Sequence, residues 1–332
     1  MARLKILTEP ELREIVRLDM EAIHCIESAF AALSSGNVVM PPILSMAIRE
    51  FNGEVDVKTA YVPGFDSFAI KMSPGFFDNP KRGLPSTTGL MVLFSVRTGM
   101  LEAVLLDNGY LTDVRTAAAG AIAAHHLAPA GVEQACILGA GRQSCLQLEA
   151  LCLVRPIRQA KIWARDFLKA GAAARELSET LDITVTPVTD LQEAVVRSDI
   201  VVTTTPSATP LVMSDWLRPG HHITAMGSDQ AHKNELDVRC LSRADLYVPD
   251  RQSQTEKLGE LHHALGSGIV KEKTVYPELG DIVAGSAAGR QAAADITICD
   301  LTGTGVQDTA IATFAYKRAE VHSAGLTMDS RS

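Results

Sequence analysis

The run Ala135-Cys-Ile-Leu-Gly139-Ala-Gly141-Arg-Gln-Ser144 ends an apolar stretch in two glycines spaced G-x-G, and Cys145 to Leu153 continues as a helix-compatible segment. Strand, glycine turn and helix in that order suit a dinucleotide pyrophosphate. The first glycine permits the tight turn, the second lets backbone approach phosphate, and the helix N-terminus faces the negative charge. Ser144 stands where a third glycine is usual, and a plain strand-to-helix turn is the competing reading.

Three charged residues elsewhere could serve a small anionic substrate. Lys71 lies inside the apolar strand pattern Phe68-Ala-Ile-Lys-Met. Burying it there is costly without a negative partner. It reads either as an outward strand lysine or as one that holds a carboxylate or trades a proton with an imine. Arg115 opens an alanine-rich helix in Leu111-Thr-Asp-Val-Arg-Thr-Ala. A cation at a helix start opposes the dipole unless helix and guanidinium jointly hold an anion, with Asp113 as the local alternative partner. Asp229 follows a strand pattern in Ala225-Met-Gly-Ser-Asp. Strand ends of that kind line ligand crevices, so Asp229 is either an acid/base group beside a cationic imine or a loop cap. The glycine run Leu301-Thr-Gly303-Thr-Gly305 could present amides to a ligand or be a simple turn. The pairs His125-His126, His221-His222 and His262-His263 lack metal-ligand spacing, and no metal site is expected.

The elements that must position these residues follow from periodicity. Thr8-Glu-Pro-Glu11 has capping-box spacing, and Asp19 can cap a helix with apolar Ile23, Ile26 and Phe30 that stops at Gly36. Strand patterns run over 55–62, 68–73, 91–94 and 101–106, the last two joined through Arg97-Thr-Gly99 as a hairpin. A helix is predicted over 116–126. Strands then alternate with helices at 135–138, 160–163, 183–187, 200–204, 222–226 and 246–248, which indicates a Rossmann-type doubly wound parallel sheet. Residues 296–319 read as a strand, a glycine turn and a long helix. That helix is expected to return to the first domain, giving an α/β protein in which residues 123–299 are inserted into a domain of 1–122 and 300–332. Asp329-Ser-Arg-Ser332 reads as a frayed tail.

With 332 residues the chain can build two cores, and 46% hydrophobic with 21% charged residues is a globular mix. A formal charge of −8 argues against nucleic acid or an anionic membrane as partner. No apolar run has the length of a membrane span, and the start does not read as a signal peptide. Cys25, Cys136, Cys145, Cys152, Cys240 and Cys299 lack C-x-x-C spacing and read as reduced thiols of a cytoplasmic protein.

Taken together, the Lys71 strand, Gly83-Leu-Pro85, Leu111 to Ala119, Ile137-Leu-Gly-Ala-Gly141, Met226-Gly-Ser-Asp229 with Lys233 and Glu235-Leu236, and Thr297 to Asp308 resemble the ornithine cyclodeaminase/mu-crystallin family. The resemblance spans nearly the whole chain with the motifs in the family's order. It implies a homodimer whose first domain supplies substrate binding and dimerisation, and a nicotinamide cofactor that interconverts an amino acid and its imine. By position it implies that Lys71 and Arg115 hold substrate, Lys71 sharing in catalysis, and that Asp229 is the acid/base. Cofactor contacts would come from Thr116, Gly139, Gly141, Arg142, Gln143, Arg165, Thr204, Met226, Gly227 and Gly303.

Ile43 in Met40-Pro-Pro-Ile stands where many relatives have arginine, and Lys58 where many have methionine. Lys58 therefore joins the substrate-binding candidates unless it is merely exposed. The swap makes ornithine a doubtful substrate and resembles imine reductases of iminosuccinate-like acids. The text from Met40 to Lys58 looks most like cyclodeaminase-like proteins of ectoine and hydroxyectoine utilisation, implying an imine or cyclic amidine intermediate. Ala164 followed by Arg165 at the second Rossmann strand suits a 2′-phosphate, so NADP is favoured over NAD, although Asp166 could turn inward. Three activities compete: an NAD(P)H-dependent imine or ketimine reductase or amino-acid dehydrogenase, a cyclodeaminase that recycles bound NAD and releases ammonia, and a crystallin-like nucleotide-binding protein with little catalysis.

Overall fold

A computed structural model describes residues 3–329. The chain divides into two compact units: one runs to Arg115 and resumes at Thr304, and the other is Thr116–Gly303.

The first unit begins with β1 (Arg3–Thr8), α1 (Glu9–Ile15) and α2 (Met20–Ser34). The Thr8 N–H donates to Glu11 Oε2 at 2.8 Å, Asp19 Oδ1 accepts from the Ala22 N–H at 3.0 Å, and Gly36 follows α2 with φ +76°. These are the caps read from the sequence. Strands β2 (Leu44–Ile48), β3 (Gly53–Ala60), β4 (Ser67–Phe76), β5 (Leu90–Ser95) and β6 (Leu101–Leu106) follow. The β5–β6 hairpin forms as predicted, with a register shift at Leu93/Phe94 and Gly99 at φ +66°.

Helix α3 (Tyr110–Leu127) starts six residues before the predicted Thr116. The Asp107 carboxylate accepts the Leu111 N–H at 2.9 Å and so supplies a helix start that the alanine pattern does not reveal. Arg115 consequently lies in the second turn of α3 rather than at its opening, and the dipole argument for an anion there is replaced by direct side-chain pairing, described below.

The second unit contains β7 (Gln134–Leu138), α4 (Arg142–Val154), β8 (Gln159–Trp163), α5 (Phe167–Leu181), β9 (Thr184–Val188), α6 (Leu191–Val196), β10 (Ile200–Thr203), β11 (His222–Ala225), α7 (Arg239–Arg243), β12 (Leu246–Pro249), α8 (Gln252–Thr255), α9 (Glu260–Gly266), α10 (Leu279–Val283) and β13 (Thr297–Asp300). Its seven strands are all parallel in the order β12-β13-β11-β10-β7-β8-β9. The chain winds outward from β7 through β8 to β9, then returns to β10 on the other side of β7, so β7/β10 is the topological switch point. Alternation within the strands builds two cores. Ala135, Ile137 and Ile162 pack with α4 and α5 residues such as Leu148 and Leu177, whereas Cys136, Leu138 and Ile223 pack with Cys240 and Leu261.

The first unit closes with α11 (Gly305–Val321) and β14 (Leu326–Asp329). Its mixed sheet has the order β14-β1-β6-β5-β4-β3-β2, with β1 parallel to β6 and the other pairs antiparallel. Asp329 thus belongs to a strand, and the rest of the expected tail, 330–332, lies outside the described residues. Among the described residues no helix is long and apolar enough to cross a membrane.

Candidate functional site

In the first unit α11 carries the decisive carboxylate. A Cβ at position 305 would lie 2.3 Å from the Thr59 carbonyl oxygen, so Gly305 is what lets the start of α11 press onto β3. Thr309 then fixes the register: its hydroxyl donates to the Ala60 carbonyl at 2.9 Å and accepts the Ala69 N–H at 3.1 Å. This seats Asp308, fully buried, against Lys71 of β4, with Lys71 Nζ 3.0 Å from Oδ2 and 3.1 Å from Oδ1. Arg115 of α3 reaches the same carboxylate, Nε to Oδ1 at 3.1 Å, and donates from Nη1 to Gln307 Oε1 at 3.1 Å. Lys71 is 3% exposed and Arg115 6%, so Lys71 is not an outward strand lysine, and Arg115 has buried partners in Asp308 and Gln307.

Lys58 of β3 is half-buried and directly opposite Lys71 in the antiparallel register, hence on the same sheet face. The Lys71 pKa is pushed down to about 7: burial lowers it most, Asp308 opposes that, and Arg115 and Lys58 add to the decrease. Burial would raise Asp308, but Lys71, Arg115 and Lys58 outweigh it and hold the carboxyl below its usual value. Nearby Asp107 is raised by burial to about 6. The buried Gln307 Nε2 and Thr304 Oγ1 have no hydrogen-bond partner among the described residues. Such orphans beside paired cations suit an anionic ligand with further acceptors.

The second unit carries the glycine turn at the switch point. Gly139 has φ +127°, and a Cβ there would lie 2.5 Å from Thr204 Oγ1 and 2.6 Å from Ser144 Oγ. Gly141 differs: nothing lies within 4 Å of its would-be Cβ, so the protein's own packing does not require a glycine there. Space kept open at the N-terminus of α4 is what a pyrophosphate needs, and the residues present fit that group. Ser144 explains the missing third glycine. Its buried hydroxyl accepts the Gly141 N–H at 3.2 Å and bonds Thr204 Oγ1 at 2.7 Å, while Thr204 Oγ1 donates to the Leu138 carbonyl at 3.0 Å. Arg142 is exposed and Gln143 half-buried in the first turn of α4.

Gln147 donates from Nε2 to the Thr116 carbonyl at 3.0 Å and to the Met226 sulfur at 2.8 Å. A Cβ at position 120 would lie 1.9 Å from its Oε1, so Gly120 makes room for it. Gly227 is equally confined, 2.2 Å separating its would-be Cβ from the Thr205 carbonyl oxygen. Arg165 is exposed, and Asp166 uses Oδ1 to cap α5 through the Leu168 and Lys169 N–H groups at 3.0 and 3.2 Å. The Gly303 N–H is engaged by Asp250 Oδ2 at 2.7 Å and its carbonyl by Gln254 at 2.9 Å, so the amide expected to face a ligand already has a partner. Asp229 lies beyond β11, half-buried, with Lys233 Nζ 2.5 Å from Oδ1.

Sequence reasoning missed Asp308 and Gln307 as site residues. The signal was present in Thr304-x-x-Gln307, a capping box in which the Thr304 N–H donates to Gln307 Oε1 at 3.0 Å, fixing where the last helix begins.

A family model described as the ornithine cyclodeaminase/mu-crystallin family matches residues 4–323. A cyclodeaminase of Sinorhizobium fredii, itself uncharacterized, is 58% identical over 331 residues, covering 99% of this chain and all of that one. An archaeal alanine dehydrogenase dimer with bound NAD superposes with a TM-score of 0.92 at 32% identity, covering 99% of each chain. The Thermococcus litoralis Δ1-pyrroline-2-carboxylate reductase, in complex with NADH and L-proline, also gives 0.92, at 29% identity over 97% of this chain and 99% of that one.

Proposed function

The chain belongs to the ornithine cyclodeaminase/mu-crystallin family, and on that premise we propose that it is a nicotinamide-dependent enzyme interconverting an amino acid or cyclic amine and its imine, acting as an imine or ketimine reductase. The observation that carries this reading is the buried pairing of Lys71 and Arg115 on Asp308. Two cations fixed on one carboxylate, with Lys58 on the same sheet face, form a preorganised clamp for a substrate carboxylate. Asp229, paired with Lys233, is the proposed acid/base that supplies or removes the nitrogen-bound proton. The bound nicotinamide supplies or accepts the hydride. Gly139, Gly141 and the start of α4 would hold its pyrophosphate, with Thr116, Arg142, Gln143, Thr204, Met226 and Gly227 around it.

NADP is the cofactor proposed from Arg165, and NAD is the alternative that the solved relatives carry. The substrate proposed from Lys58 and the Met40–Lys58 text is an imine or cyclic amidine of ectoine or hydroxyectoine breakdown. A homodimer completes the proposal, supported by the relative solved as a dimer and by exposed apolar residues of the first unit, among them Leu44 at 60% and Met46 at 52%.

The test is absorbance of reduced cofactor, NADPH and then NADH, against a panel of imines. The panel pairs 2-oxo acids with ammonia or methylamine and adds cyclic ketimines and ectoine-derived intermediates. Stoichiometric oxidation supports the reductase. Ammonia release from an amino acid without net oxidation would replace it by a cyclodeaminase, the second reading, which the name of the Sinorhizobium relative favours. Loss of both would overturn the enzyme proposal.

A further inference from the structure

Glu235 is fully buried at the carboxyl ends of β10 and β11. One carboxylate oxygen, Oε2, accepts the Thr203 hydroxyl at 2.6 Å and the Gly227 N–H at 2.8 Å. The other, Oε1, accepts the Thr205 N–H and the Thr205 hydroxyl, both at 2.6 Å. Four donors on two oxygens are the coordination of an ionised carboxylate. Burial holds its pKa above the ordinary carboxylate value, and these four bonds oppose that without cancelling it. No basic side chain among the described residues lies within ion-pair distance of it. An acidic neighbour, Glu260, accepts the Glu235 backbone N–H at 2.9 Å and is itself raised well above the usual carboxylate range by burial, by Asp300 and by Glu235.

A buried carboxylate without a cation is expensive to ionise, and a positive ligand arriving beside it would offset that cost. The surroundings indicate which one. Beyond the switch point, β10 and β11 begin the half of the parallel sheet opposite the one opened by the glycine turn. In a doubly wound sheet the dinucleotide lies across both halves, with pyrophosphate at the first turn, so its nicotinamide half lies over the second. The oxidised nicotinamide ring carries a positive charge, and the reduced ring does not.

We propose that Glu235 is a positioning and charge-compensating residue for the nicotinamide half of the cofactor, joining the β10 and β11 loops and favouring the oxidised over the reduced dinucleotide. This rests on the dinucleotide-binding reading above and extends it to a residue with no proposed contact to substrate. Coulombic coupling acts through the low-dielectric interior without contact, and the two loops held by Glu235 carry Thr204, Met226 and Gly227.

The experiment is equilibrium binding of oxidised and reduced dinucleotide to the full-length protein, by calorimetry for the oxidised form and by nicotinamide fluorescence for the reduced form. Glu235→Gln removes the charge and also turns an amide NH2 toward either the Gly227 or the Thr205 N–H. The expected result is a rise in Kd for the oxidised form at least about tenfold larger than the rise for the reduced form. Thr203→Val removes one donor and leaves both backbone N–H bonds. It should move the same ratio in the same direction by about two- to threefold, and it serves if the glutamine variant does not fold. Equal weakening of both forms, or an unchanged ratio in both variants, would overturn the charge role. Failure of the wild type to bind either dinucleotide would instead remove the underlying reading.

Discussion

Within the first unit's cation cluster, Lys71 is strongly altered by its surroundings. An ordinary lysine is charged throughout the physiological range, but burial brings this one down to about 7 even with Asp308 holding it up. Its protonated form is the one that holds a carboxylate, so that form is lost as pH rises through the folded value. Because kcat/KM reports the free enzyme, that of the wild type should fall on the alkaline side of about pH 7, and Lys71→Arg, which cannot deprotonate, should lose that limb. Lys71→Met should lower kcat/KM by at least about 100-fold, roughly 2.7 kcal/mol of transition-state binding. Asp308 works in the other direction. Asp308→Asn leaves Lys71 and Arg115 buried together without a counter-charge, and denaturant unfolding should show a loss of about 3–5 kcal/mol. A variant retaining wild-type stability would mean that Asp308 does not compensate the two cations.

At the scale of elements, the turn between β7 and α4 separates glycines needed by the fold from glycines available to a ligand. Gly139→Ala meets Thr204 and Ser144 in a left-handed backbone region and should both destabilise the second unit and abolish dinucleotide binding. Gly141→Ala meets nothing of the protein, so the melting temperature should stay within about 2 °C of wild type while dinucleotide Kd rises at least about tenfold. If affinity is unchanged, the open space at position 141 does not belong to a phosphate. Ser144→Ala removes a hydroxyl linking Gly141 to Thr204 and should weaken binding by about five- to tenfold, close to the worth of one hydrogen bond. The six parallel strands predicted between 135 and 248 all form within about a residue of their expected ends, because near-continuous apolar runs separated by helices have few other solutions. Strands β1, β2 and β14 were not legible. Two lie at the sheet edges and β2 is largely exposed, so no buried face imposes a period on it. Strand β1 does have a buried face, but one of its buried positions is Lys5, which breaks the apolar alternation and is held by the Ala319 and Ala324 carbonyls.

For the whole molecule, the edge strand β2 displays Leu44 and Met46 on one face, with Phe51 55% and Phe77 44% exposed nearby in the chain's hydrogen-bonded path. Apolar residues on an unprotected sheet edge are an aggregation hazard unless a partner covers them. If the proposed homodimer uses this surface, Leu44→Glu with Met46→Glu should give monomers in analytical ultracentrifugation, with near-native circular dichroism. A dimer unaffected by the double substitution would place the interface elsewhere. The sequence by itself determined the parallel sheet, its glycine turn and the identity of Lys71 and Arg115 as unusual cations, because strand period, turn chemistry and the cost of burying charge are local properties. Only the tertiary structure decided what those cations meet. Asp308 is 237 residues from Lys71 and reaches it because Gly305 and Thr309 set the depth and register of α11 against β3 and β4. Such a contact depends on two distant segments sharing one packed interface, and no local pattern encodes that.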